Sequence, residues 1–140
     1  MNLFKLAAGA TVFLLSSGLV AAAGEPSEYV CRFDAGSVAV YENGEFRDEV
    51  VNPVEFRLNA IDAAKQSATV VRNGGESSLR VVRAVNALHF LEVAGEGFLN
   101  LTTVYDRDER TGRHPAIHSR HFGVLGQPVV SQYRGFCSGR

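Results

Sequence analysis

The stretch PVEFRLNAID, residues 53–62, decides the fold class. Its apolar side chains stand at every second position, Val54, Phe56, Leu58 and Ala60, and the side chains between them are polar. A strand turns successive side chains to opposite faces, so a period of two is typical of a strand with one buried face. We therefore predict that this stretch is a half-buried β-strand.

Comparable short segments recur at roughly ten-residue spacing on both sides of this stretch, separated by turn residues such as Asn-Gly. They are YVCRF (29–33), SVAVY (37–41), SATVV (67–71), LRVVRA (79–84), ALHFLEV (87–93), FLNLTTVYD (98–106), HPAIHSRHFGV (114–124) and PVVSQYRGFC (128–137). Asp-Ala-Gly, residues 34–36, is read as the turn between the first two. Short connections favour antiparallel neighbours, so the pattern predicts an all-β domain of about eight or nine antiparallel strands. The one helical candidate is NAIDAAKQSA, residues 59–68.

The first 23 residues have the composition of a secretory signal peptide. Lys5 precedes the apolar run LAAGATVFLLSSGLV, and three alanines follow that run before Gly24. This order predicts removal of residues 1–23 and export to the periplasm or the extracellular space. Residues 24–140 are then a single β domain, because they hold one core and no second apolar run long enough to span a bilayer.

The two cysteines, Cys31 and Cys137, lie near the two ends of the strand-rich region. In an exported protein such a pair predicts a disulfide bond. The bond would make the first and last strands neighbours, because bonded cysteines have their Cα atoms about 5.5–6 Å apart. Closure of this kind favours a small up-and-down, lipocalin-like antiparallel barrel. A two-sheet β-sandwich is the alternative.

The charged side chains are distributed unevenly along the predicted domain. Residues 24–62 hold nine acidic and three basic side chains, whereas residues 110–140 hold five arginines and no acidic side chain. If the first and last strands are neighbours, these opposite charges partly neutralise each other. A nucleic-acid interface is not predicted, because the domain as a whole is not basic.

RHPAIHSRHF, residues 113–122, holds three of the four histidines. In a helix His114, His118 and His121 would share one face and suit a metal ion. In a strand His114 and His118 share a face with Arg120, while His121 points the other way. Strand rise also separates His114 from His118 by about 13 Å, too far for one ion. The strand interpretation therefore predicts no metal site, and no cofactor is expected.

A second polar stretch, SQYRGFC at 131–137, lies one predicted hairpin after the histidines. Tyrosine and arginine are frequent anchors at protein interfaces. We predict that the two stretches form one polar patch that binds a partner. Its residues are His118, Arg120, His121, Gln132, Tyr133 and Arg134. The alternative is that they are ordinary outward-facing polar positions on a barrel wall.

The stretches TTVYD, PAIHSRH and SQYRGFC resemble small exported bacterial proteins of unknown function. YVC at 29–31, together with the late Cys137, resembles the periplasmic inhibitors of c-type lysozyme. That resemblance implies a small antiparallel barrel that begins with a Tyr-x-Cys strand. The chain has no tryptophan and no Ser-Gly-x-x-Tyr stretch, so no inhibitory residue is assigned.

These patterns together predict a non-enzymatic exported domain that binds a partner protein, an envelope component or a small ligand. One alternative is an inhibitor of a cell-wall hydrolase. The other is a metal-binding or hydrolytic protein that uses the histidine cluster. Ser119 stands between two of the histidines, but no Gly-x-Ser-x-Gly elbow surrounds it.

Overall fold

The computed structural model describes residues 24–94, 97–124 and 126–140. These residues form nine strands and no α-helix, hence no helix that is long and apolar enough to cross a membrane. The strands are β1 (Tyr29–Glu42), β2 (Glu45–Glu49), β3 (Val54–Asp62), β4 (Ser67–Arg72), β5 (Gly75–Arg83), β6 (Ala87–Ala94), β7 (Phe98–Tyr105), β8 (His114–Val124) and β9 (Gln127–Gly139). The predicted signal peptide, residues 1–23, lies outside the described residues.

All the strands except β2 close into an antiparallel barrel of eight strands. From β3 to β9 each strand pairs with the next one in the chain, and β1 closes the ring between β3 and β9. The pairing of β1 with β9 is long and runs from Tyr29 opposite Gly139 to Val40 opposite Val129. The prediction of a small antiparallel barrel is confirmed, and the sandwich alternative is not adopted.

The predicted disulfide joins the first strand of the barrel to the last. Cys31 lies directly opposite Cys137 in the β1–β9 pairing, with their Cα atoms 4.0 Å apart. Both side chains are fully buried. A bond that links residues 106 positions apart stabilises the fold by about 4–5 kcal/mol in the chain-entropy model. The disulfide prediction is confirmed.

β1 is one continuous strand where the sequence pattern predicts two. Residues 34–36 make no turn, because the register between β1 and β9 shifts at this point, between Phe33 and Ala35. Such a bulge inserts one residue and bends the strand without ending it. Gly135 on β9 permits the close approach, since a Cβ atom there would overlap the backbone of Arg32. The prediction of a turn at Asp-Ala-Gly is therefore wrong.

β2 is a strand that the sequence pattern does not predict. All five of its residues are exposed, and it shows no apolar alternation. The Asn-Gly turn forms it: Asn43 and Gly44 have φ angles of 52° and 87°, as a two-residue hairpin requires. From Val38 onward β1 pairs with β2, whereas its first half pairs with β3.

The helical candidate, residues 59–68, forms the end of β3, a turn and the start of β4. The backbone N–H of Lys65 donates to the Asp62 carboxylate at 2.8 Å within this turn. Leu58 and Val70 face each other across the hairpin, and both are buried. Pairing and burial of the two strands override the local helix propensity, so the helical candidate forms no helix.

The apolar core fills the middle of the barrel and the end that holds the disulfide. Its largest fully buried side chains include Phe33, Leu58, Val70, Val81, Phe90 and Val104. Burial of each such side chain contributes about 1.5–3 kcal/mol. At the other end of the interior, where β4, β6 and β8 end, polar side chains replace them.

Candidate functional site

The three clustered histidines lie on a strand and therefore do not share a face. His114 and His118 point into the barrel, and His118 lies opposite Tyr133 of β9. His121 is exposed on the outer face. The alternation expected for a strand is confirmed. Among the described residues no three His, Cys, Asp or Glu side chains form a group that would hold a metal ion.

The six residues of the predicted polar patch are neighbours along the β8–β9 pairing, but they lie on two sides of the barrel wall. The inner face carries His118, Arg120 and Tyr133. The outer face carries His121, Gln132 and Arg134, which are exposed. The wall separates the two sets, so the structure does not form the single patch that the sequence suggested. The role of these residues in binding stays a prediction.

Two of the inner residues, His118 and Arg120, belong to a larger group of polar side chains at one end of the barrel, here called the polar layer. It consists of Arg72 (β4), Glu92 (β6), Asn100 and Thr102 (β7), His118 and Arg120 (β8) and Ser131 (β9). Five of these are buried, at 4%, 8%, 4%, 1% and 2% exposure for Glu92, Asn100, Thr102, His118 and Ser131. Burial of polar groups costs free energy unless they are hydrogen-bonded, so the partners of each one matter.

One half of the polar layer is an ion pair with a supporting amide. Nη1 and Nη2 of Arg72 donate to Oε1 and Oε2 of Glu92 at 3.0 and 2.9 Å. Nδ2 of Asn100 donates to Oε2 of Glu92 at 2.8 Å. Burial by itself raises the pKa of Glu92, but the hydrogen bonds from Arg72 and Asn100 outweigh it and lower that pKa from its ordinary value. Glu92 is therefore charged and neutralises Arg72.

His118 is the member of the polar layer that packs against the apolar core, and it is only 1% exposed. Its ring centre lies 5.6 Å from that of Phe33, 5.0 Å from that of Phe56 and 5.9 Å from that of Tyr133. Its Nδ1 shares a 2.9 Å hydrogen bond with the hydroxyl of Thr102. Burial, followed by the charges of the two nearby arginines, lowers the pKa of His118 to about 3. The imidazole is therefore neutral at pH 7 and packs as part of the core.

Arg120 has two neighbours in the sheet whose buried side-chain oxygens lack a hydrogen-bond partner among the described residues. It stands opposite Asn100 on β7 and opposite Ser131 on β9. Oδ1 of Asn100 and Oγ of Ser131 are buried and have no partner among the described residues. The guanidinium carbon of Arg120 lies 5.5 Å from the ring centre of Phe122. Within the same ranges no carboxylate forms an ion pair with Arg120.

The inner face continues past the polar layer onto two hairpin arms, here called the ribbon, which consist of residues 38–49 and of residues 120–124 with 126–131. An apolar groove of about 450 Å³ lies on it, lined by Val38, Val40, Glu42, Glu49, Phe122, Gln127 and Val129. Phe122 stacks on Phe98 with ring centres 5.3 Å apart. Val38 lies opposite Ser131, so the groove begins where the polar layer ends.

A second cavity, of about 540 Å³, lies at the disulfide end of the barrel. Several of its polar groups have partners within the protein. Nδ1 of His114 donates to the carbonyl oxygen of Tyr105 at 2.9 Å, and Arg83 forms an ion pair with Glu25. Burial, and then the charge of Asp106, raise the pKa of Tyr29, whose hydroxyl is therefore protonated at neutral pH. This end offers fewer unsatisfied groups to a ligand than the polar layer does.

The geometry does not assemble a nucleophile with a base at the histidine cluster. Ser119 lies opposite Leu101 and Gln132 on the outer side of the wall, while His118 points inward. A serine nucleophile needs a histidine within hydrogen-bond reach and a third group that orients it. The neutral, buried His118 is bonded to Thr102 instead.

Sequence reasoning missed several members of the polar layer, namely Arg72, Glu92, Asn100, Thr102 and Ser131. A signal for them exists, because a polar side chain two positions beyond a core residue faces the core as well. Glu92 follows Phe90 in this way, and Arg72 follows Val70. The alternation identifies the face of each strand but not which strand ends meet.

Comparison with known proteins adds no family to this geometry. No protein-family model matches the chain, and a search of curated proteins finds no match. The resemblance to lysozyme inhibitors therefore stays a prediction, and any function has to be argued from the polar layer, the ribbon and the groove between its arms.

Proposed function

We propose that the protein is a non-enzymatic exported binding domain that takes a small apolar ligand on the inner face of the ribbon. The observation that carries this proposal is the continuity of the apolar groove with the polar layer. Sites for small molecules are concave, mostly apolar and supplied with a few polar groups that fix orientation. The groove volume of about 450 Å³ falls within the usual range of roughly 300–1,000 Å³ for such sites.

The arrangement of the titratable groups supports binding over catalysis. Glu92 is held as a charged partner of Arg72, and His118 is neutral and enclosed by aromatic rings. A general base needs a pKa near the working pH and access to the substrate proton. Neither Glu92 nor His118 has both properties, so the polar layer is suited to hold a ligand and not to move a proton.

Export is supported by the disulfide, since such bonds persist in oxidising compartments and are rare in the cytosol. The charged residue, apolar run and small residues at the N-terminus predict a signal peptide, which also supports export. Mass spectrometry of the exported protein should find Gly24 or a close neighbour as the first residue. Exported protein that still begins with Met1 would contradict the cleavage.

The binding proposal is tested with Nile red, an uncharged apolar dye whose fluorescence rises on binding. The wild-type protein should take up the dye, and Val40→Asp should abolish the uptake, because Val40 lines the groove. Val85→Asp is the matched control, since Val85 is fully exposed elsewhere. Thermal unfolding of all three proteins shows whether each is folded. Equal dye binding by Val40→Asp and the wild type would refute the groove as the site.

One observation favours the inhibitor alternative as a second candidate. The β1–β2 hairpin presents an exposed Phe46 with Asp48 on the same face, and its other face carries the exposed carboxylates of Glu42, Glu45 and Glu49. An apolar anchor with surrounding negative charge complements a cationic enzyme surface. Lysis of bacterial cell walls by c-type lysozyme, with and without equimolar protein, measures this directly. An unchanged lysis rate would remove this candidate.

A further inference from the structure

We propose that the groove and the polar layer together bind an amphipathic anion, with its apolar chain on the ribbon and its anionic head group beside Arg120. The inference rests on the proposed function and adds the chemistry of the ligand's head group. The class includes any monomeric molecule with a single alkyl chain and a carboxylate at its end.

The groove and Arg120 are close enough for one small molecule to reach both. Phe122 lies opposite Val129, and the next inward-facing pair along the same two strands is Arg120 opposite Ser131. Residues two apart on a strand are about 6.6 Å apart. A chain that lies across Phe122 and Val129 therefore brings its end to the guanidinium and the buried hydroxyl of Ser131.

The charges of the polar layer favour a negative head group. Arg72 is neutralised by Glu92 through two hydrogen bonds, and His118 is neutral. Among the described residues of the polar layer, Arg120 is thus the charge that no carboxylate neutralises, and its side chain is half-buried. An arginine that has no carboxylate partner in a partly desolvated site pairs strongly with a carboxylate.

The two unpartnered oxygens define the orientation of the head group. Nδ2 of Asn100 is held by Glu92, so its Oδ1 is turned away from that carboxylate and needs a donor. The guanidinium of Arg120 has five N–H groups, enough to serve Oδ1 of Asn100 and a bound anion together. The hydroxyl of Ser131 is 2% exposed and is free to donate to the same anion.

The nearest acidic side chain of the ribbon does not compete for Arg120. Glu49 and Arg120 lie in the same row across the sheet. Between them in that row stand Val38 on β1 and Ser131 on β9. Three strand spacings separate Glu49 from Arg120, about 14 Å. Glu49 is also exposed, so solvent and salt screen its charge at that distance.

The test compares three ligands that share one chain and differ in head group: dodecanoate, dodecanol and dodecyltrimethylammonium. Their affinities for the oxidised, exported protein are measured at pH 8 by displacement of Nile red, below the concentrations at which they aggregate. Dodecanoate should bind at least tenfold more tightly than the other two, a difference of about 1.4 kcal/mol. This comparison uses the wild type alone and does not depend on the folding of any variant.

Arg120→Gln and Arg134→Gln then form a matched pair, because both arginines lie on the β8–β9 hairpin but on opposite faces of the wall. Arg120→Gln should remove the preference for dodecanoate, and Arg134→Gln should keep it. Equal affinities of the wild type for all three ligands would overturn the head-group inference and leave the proposed function standing. Retention of the preference by Arg120→Gln would overturn the inference too. If the wild type bound neither Nile red nor any of the three ligands, both the head-group inference and the proposed function would be overturned.

Discussion

Replacement of His118 by phenylalanine should remove a defined part of the pH dependence of stability. The pKa of His118 falls from 6.5 to about 3 on folding. Below pH 6.5 the unfolded chain binds a proton that the folded protein does not bind, so the folded state loses stability as the pH falls. The slope is about 1.4 kcal/mol for each pH unit, and between pH 7.5 and pH 5.0 the loss sums to about 2 kcal/mol. Above pH 7 the imidazole is neutral in both states and contributes no pH dependence.

Urea denaturation at pH 7.5 and pH 5.0 measures this effect in the wild type and the variant. The phenylalanine ring keeps the contacts with Phe33 and Phe56 but leaves the Thr102 hydroxyl without its partner, which costs about 1–3 kcal/mol at every pH. The informative quantity is therefore the free energy of unfolding of the wild type minus that of the variant, measured at each pH. This quantity should be about 2 kcal/mol lower at pH 5.0 than at pH 7.5.

The exposed His121 supplies the control, because His121→Gln should leave the wild-type pH dependence in place. Glu92 does not interfere, since its pKa is lowered below the ordinary carboxylate value and its contribution is lost only at more acidic pH. If His118→Phe and the wild type lose the same free energy of unfolding between the two pH values, His118 is not held neutral by burial. The description of His118 as a neutral, buried member of the polar layer would then be wrong.

The double variant Cys31→Ala, Cys137→Ala should lose about 4–5 kcal/mol of unfolding free energy in urea, and an unchanged midpoint would contradict the role of the disulfide in closing the barrel. Glu92→Ala should cost about 3 kcal/mol because it leaves Arg72 without a partner, and Arg72→Met in the same chain should recover part of that loss in the same assay. Excess Zn²⁺ or Ni²⁺ should leave the thermal midpoint unchanged, because the strand separates the histidines; a true site at a hundredfold excess over Kd would stabilise by about 2.7 kcal/mol.

Several features of this protein were determined by the amino-acid sequence read locally. The alternation in PVEFRLNAID and its neighbours predicted the strands, because a period of two reflects the geometry of a single strand. The positive φ angles that Asn43 and Gly44 adopt are those their residue types favour. Cys31 and Cys137 predicted the closure, because a disulfide imposes a short distance wherever its ends lie in the chain. The same alternation correctly separated His121 from His118.

Only the tertiary structure decided which side chains meet and which turn signals form turns. Asp-Ala-Gly became a bulge because β9 pairs with β1 on both sides of it, a long-range constraint that outweighs the local signal. The alanine-rich stretch 59–68 became a hairpin for the same reason. The polar layer joins Arg72, Glu92 and Arg120 from three different strands, and their meeting depends on the register of every pairing between them. Register in a closed barrel is set by how all the inner side chains pack together, and no single stretch of sequence contains that information.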